Sequence, residues 1–82
     1  MNEEIQASFS TLILSIGSSA AMALGLAPNP STGKIEKDKG MAKFNIDLLI
    51  VLQEKTKNNL SEEEKNFMSS LLSDLQMKFL KD

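Results

Sequence analysis

Few side chains in this 82-residue chain could do chemistry. Cysteine and histidine are absent. Their absence removes thiolate nucleophiles, redox pairs and disulfides, together with the commonest metal ligand and general base. Carboxylates, lysines and hydroxyls remain. Asp47 stands inside the most apolar stretch, Ile46-Asp47-Leu48-Leu49-Ile50-Val51-Leu52. A buried carboxylate there could act as a general acid or base, but that work needs a second group and a pocket. Lys43 lies one turn earlier. We therefore read Asp47 as a charge on an exposed stripe or as the ion-pair partner of Lys43. No residue is assigned as catalytic, cofactor-binding or metal-ligating, and neither an enzyme activity nor a cofactor is expected.

Two local motifs fall short on their neighbours. Gly33-Lys34 follows a turn, as in a phosphate-binding loop. That motif needs a glycine where Pro28 sits and a hydroxyl residue where Ile35 sits, so the pair is read as a turn and a solvated lysine. Asn59-Leu60-Ser61 matches a glycosylation sequon, but Ser61 has a local structural role set out below. Lys34, Lys37, Lys39, Lys43, Lys55 and Lys57 could bind nucleic acid or an acidic partner. Glu36, Asp38, Asp47 and Glu54 are interleaved with them, and the net charge is −2. Four Phe, with no Trp or Tyr, offer poor stacking for bases. Nucleic acid is not the expected partner.

The elements that would position these residues are all helical. Between Glu4 and Lys34 the chain carries no charge. Ile5, Phe9, Leu12, Ile13, Ile16, Ala20 and Leu24 recur at the spacing of one helical face, which predicts a helix over about residues 3–24. Gly25 suits a C-terminal cap, and Pro28 ends the helix. The uncharged length is enough for a membrane span. Ser8, Ser10, Thr11, Ser15, Ser18 and Ser19, and the lack of flanking lysine or aromatic anchors, argue against one. Ala21-Met22-Ala23 resembles a signal-peptide cleavage site, but Asn2-Glu3-Glu4 is acidic where positive charge is needed. A buried helix of a cytoplasmic protein is expected, with integral membrane insertion not expected.

A proline-rich connection covers about residues 25–38, with turn signals at Pro28, Asn29-Pro30 and Ser31-Thr32-Gly33. A second helix is predicted over about residues 39–57. Its centre is apolar almost all round, and such a helix needs partners on most sides. After a break at Lys57-Asn58-Asn59-Leu60, a third helix is predicted over about residues 62–80. Ser61 and Glu64 have the spacing of a capping box. Glu62, Glu63 and Glu64 complement the positive end of the helix dipole, and Lys78 and Lys81 the negative end. Gly17, Ala21 and Gly25 form a ridge of small residues along the first helix. Glycine inside a helix costs up to about 1 kcal/mol relative to alanine, so Gly17 implies a close neighbour.

Several stretches resemble a known bacterial family. They are Leu24-Gly25-Leu26-Ala27-Pro28-Asn29-Pro30 with Thr32-Gly33-Lys34, Ile46-Asp47-Leu48-Leu49, Leu52-Gln53-Glu54-Lys55-Thr56-Lys57-Asn58-Asn59-Leu60, and Leu71-Leu72 with Asp74-Leu75. In combination they are similar to the family called domain of unknown function 1844. Asn58 departs from it, standing where the family often has glycine. The resemblance implies a short, cytoplasmic bacterial protein with no assigned activity, so it carries no catalytic residues.

The expected architecture is all-α. One domain over residues 1–82 has a long first helix, the proline-rich connection and an antiparallel helical hairpin, assembled as an oligomeric helical bundle. A homo-oligomer, dimeric or of higher even number, is expected through a face carrying Phe9, Ile13, Gly17, Ala21, Leu24, Leu48 and Leu52. The expected function is a non-enzymatic, self-associating interaction or scaffold protein, its protein partner unspecified. Two alternatives are a membrane-associated protein anchored by the uncharged first helix and a nucleic-acid or ribosome-associated accessory protein. If the first helix is not a signal peptide, intact-mass measurement of native protein will find residues through Phe9 retained. A chain starting near Leu24 would contradict that.

Overall fold

The computed structural model describes residues 7–81. They form three helices, α1 (Phe9–Ala23), α2 (Lys39–Lys55) and α3 (Glu62–Lys81), with no strand among the described residues.

α1 is shorter than its sequence suggests. Ala7 and Ser8 are not helical, and residues 3–6 of the expected helix lie outside the described residues. Ser8 sets the start. Its backbone is extended at φ −145°, and its Oγ accepts the Thr11 backbone N–H at 3.1 Å. A serine that satisfies a first-turn N–H this way is worth more at a helix end than inside it. At 15 residues, α1 is about 22 Å long, short of a hydrocarbon core of about 30 Å. No helix among the described residues is long and apolar enough to cross a membrane.

The far end of α1 closes with two backbone bonds. The Leu26 N–H donates to Ala21 O at 2.9 Å and the Gly25 N–H to Met22 O at 3.0 Å. This pairing requires a left-handed residue after the cap, and Gly25 supplies it at φ 79°. The Lys37 stem lies across the same glycine, with Cγ 2.8 Å from where a Cβ would stand.

Asp38 begins α2. Its Oδ1 accepts the Met41 N–H at 3.0 Å, while its own N–H donates to Ala23 O at 2.8 Å. One residue thus caps α2 and ties it to the end of α1. α2 stops at Lys55 rather than Lys57: the Thr56 Oγ1 and N–H both donate to Leu52 O, at 2.6 and 3.0 Å, and the next N–H, of Lys57, turns to Glu54 O at 3.4 Å instead of continuing the helical pattern. Asn58 then turns the chain at φ 70°, a conformation that asparagine tolerates better than most residues. α3 opens with reciprocal bonds. The Ser61 Oγ accepts from the Glu64 N–H at 3.1 Å, and Glu64 Oε1 accepts from the Ser61 N–H at 2.9 Å.

Lys39, the first residue of α2, reaches Phe79 near the end of α3. Its Nζ donates to Phe79 O at 2.9 Å and lies 4.4 Å from the ring centroid. With residues 56–61 linking their other ends, α2 and α3 run in opposite directions. The Asp38–Ala23 bond sets the end of α1 against the start of α2. Ile13, Leu49 and Met68, one from each helix, are the largest fully buried side chains. The body is a slab of 38 × 37 × 16 Å. Its radius of gyration is 13.5 Å, against about 12 Å for a compact chain of this length.

Four substitutions probe the punctuation. Ser61→Ala removes an acceptor for a first-turn N–H and lowers stability by about 1 kcal/mol. Ser73→Ala, at an exposed mid-helix site, changes it far less. Asn58→Ala costs about 1 kcal/mol for the left-handed backbone, whereas Asn58→Gly retains stability. Urea melts of the four variants read all of these effects.

Candidate association surface

The groups that could do chemistry are occupied with local structure. Asp47 is exposed and accepts from Lys43 Nζ at 2.8 Å, an i,i+4 pair worth a few tenths of a kcal/mol. It lies on the rim of an open groove of about 300 Å³ between α2 and α3, whose apolar floor includes Ile46, Ile50 and Phe79. The Gly33 N–H donates to Asn29 O at 2.7 Å and the Lys34 N–H to Thr32 Oγ1 at 3.2 Å. Both amides are thus used inside the loop rather than offered to a phosphate. No group of three acidic, histidine or cysteine side chains among the described residues could hold a metal ion.

What the molecule presents is apolar surface. Among the described residues, Leu12, Leu14, Met41, Phe44, Val51 and Met77 are exposed, Phe44 at 56% and Val51 at 51%. Their positions follow from how the helices dock. Gly17 is buried against α3, with Leu71 Cδ2 2.9 Å from where a Cβ would stand. That contact places the Leu14 and Ala21 flank of α1 beside α3 and turns Leu12 and Ile16 toward α2. On α2, Lys43, Ile46, Asp47 and Ile50 line the groove shared with α3, and Glu54 lines a second cleft with Glu62 and Lys65. The charges of α2 between its ends therefore lie on the α3 side. Met41, Phe44 and Val51 are the exposed apolar residues of α2, with Asp47 and Glu54 within one turn of Val51 on the same side.

Leu12 on α1 and Met41, Phe44 and Val51 on α2 are exposed, while Ile16 and Leu48 are half-buried, Ile16 against the core. α1 contributes no charge along its whole length.

These exposed residues are not the face read from the sequence. Ile13 and Leu24 are buried in the monomer's own core at 0% and 3% exposure, and Gly17 is covered by Leu71. Phe9 and Leu52 pack at the edge of that core. Ala21 lies on the flank beside α3. Leu48 is half-buried. Periodicity identified the apolar side of α1 correctly, but that side is what α2 and α3 bury. Leu12, Met41, Phe44 and Val51 were missed. The available signal was the 3-4-3 spacing of Met41, Phe44, Leu48 and Val51, beside the more conspicuous core stripe. Ser61 and Glu64 form the reciprocal cap described above. Asp38, also missed as a cap, had its signal in standing directly before the helix.

A family model described as domain of unknown function (DUF1844) matches residues 6–81. No curated protein and no solved structure matches the chain.

The contact at Gly17 gives a direct check on which face is internal. Gly17→Leu forces a branched side chain into Leu71 and lowers stability by about 1–3 kcal/mol through overpacking. Because the contact lies within one chain, the same loss should appear in thermal melts at every protein concentration.

Proposed function

We propose that this chain, which belongs to the domain of unknown function (DUF1844) family, is a non-enzymatic helical protein of the cytoplasm. It works by associating with itself, and the resulting assembly of α1 and the α2–α3 hairpin is an interaction or scaffold element. The observation that carries this reading is the apolar surface left exposed by the three-helix packing: Leu12, Leu14, Met41, Phe44, Val51 and Met77 stand in solvent among the described residues.

The composition of that surface supports the same reading. As many apolar residues are exposed as form the buried core among the described residues. Contiguous apolar patches of several hundred Å² usually mark interaction surfaces, and closed symmetric dimers are the commonest way to cover them. A chain without cysteine or histidine has few groups with which to run a reaction.

Light scattering across a dilution series measures the association. A dimer or higher even-numbered assembly is expected at micromolar concentration. Phe44→Glu with Val51→Glu shifts the mass to that of a monomer without loss of helical signal, while Leu80→Glu, on the α2–α3 rim, leaves it unchanged. A wild-type monomer at these concentrations would overturn the proposal.

A further inference from the structure

We infer that Lys39 is a charged latch that holds the last turn of α3 against α2, and that its release opens the groove between these two helices. The device stands whether or not the chain associates with itself.

The latch begins with a charge in an unfavourable place. The start of a helix is the positive end of its dipole and favours acidic side chains. Asp38 meets that preference as the cap of α2. Lys39, the next residue, opposes it, and the first turn of α2 has no acidic residue to offset the lysine. α2 therefore gains nothing from this cation, whereas α3 does. Lys39 Nζ donates to Phe79 O at 2.9 Å and lies 4.4 Å from the centre of the Phe79 ring. Phe79 is two residues from the end of α3, so its carbonyl is one of the last four, which no helical N–H reaches. Both contacts depend on the charge. A hydrogen bond from a cation is stronger than a neutral one, and the face of the ring attracts the cation itself.

The reach of this side chain sets it apart from its neighbours. Lys43 and Lys78 bond to Asp47 and Asp74, each at 2.8 Å and four positions away in the same helix. Neither pair ties α2 to α3. Lys39 bonds across 40 positions. Lys78 is turned back toward Asp74 and leaves the Phe79 carbonyl to Lys39.

What the latch holds is one wall of the groove. Ile46 and Ile50 line it from α2, and Gln76, Phe79 and Leu80 from α3. Leu80 is exposed and Phe79 is only partly buried, so apolar packing holds this turn weakly. Terminal turns are also the parts of a helix that open at least cost. With Lys39 bonded to it, the turn stays beside α2. With the charge removed, the turn frays, and Ile46 and Ile50 lose cover on that side.

Three variants test the latch. Lys39→Gln removes the charge and keeps part of the stem. Lys39→Arg keeps the charge, the donors and the affinity for an aromatic face. Lys34→Gln removes the same charge from the exposed loop. Amide exchange is followed residue by residue by NMR. In Lys39→Gln, exchange at residues 79–81 should rise about fivefold, as expected for loss of an exposed charged hydrogen bond and ring contact. Residues 41–43, at the start of α2, should exchange no faster, because a cation has left the positive end of their dipole. A neutral gadolinium chelate in the solvent should relax the Ile46 and Ile50 methyl protons more strongly in the same variant. Lys39→Arg and Lys34→Gln should match the wild type in both measurements. Unchanged exchange at residues 79–81, or an equal rise with Lys39→Arg or Lys34→Gln, would overturn the charged latch. A uniform rise over all three helices would overturn its local character. Faster exchange with unchanged methyl relaxation would overturn the opening of the groove.

Discussion

Everything in this small fold depends on how closely α1 can approach α3. Gly17 offers no side chain where Leu71 needs room, with Leu71 Cδ2 only 2.9 Å from where a Cβ would stand. The close seat lets Ile13 and Ala20 reach full burial and brings Met68 into the same core. It also fixes the rotation of α1 about its own axis. With Gly17 turned to α3, Leu12 must emerge on the α2 side and Leu14 on the other. The exposed face is therefore a product of the core contact, although it contributes nothing to that core.

Local punctuation sets the lengths of the helices, and it was unevenly legible. The capping box at Ser61 and Glu64 and the glycine cap at Gly25 could be read directly, because each uses residues within five positions of one another. Ser8 and Asp38 are ordinary caps by the same physics, yet only Asp38 stood beside a boundary that the pattern already drew. Ser8 lay inside an uncharged run whose apolar spacing continued back to Ile5. Periodicity reports which face is apolar, but it cannot say that a serine will prefer the helix end to the helix interior.

The association surface was less legible for a different reason. A helix that is apolar over much of its circumference must be covered, and α2 shows that pattern plainly. Which part is covered by the same chain is a property of three-dimensional docking. Ile46 and Leu49 face inward while Phe44 and Val51 face outward, and no scale of hydrophobicity separates the two pairs. The partner of Gly17 was equally hidden, since Leu71 lies more than fifty positions away. The number and order of the helices needed only local information. The division between internal and external apolar surface needed the packed molecule.

The bond between Asp38 N–H and Ala23 O has a consequence for how this chain can change length. It joins the ends of the two helices directly, so the intervening loop is not what holds them in place. The loop has its own internal closure around Asn29, and a Cβ built on Gly33 meets nothing within 4 Å. Residues 30–37 are exposed throughout. Lengthening a loop whose ends are already fixed costs only about 0.6 kcal/mol for each doubling. The tip at Gly33 is therefore a natural port for insertion, where an added peptide could hang from the bundle and leave the helices beneath it undisturbed.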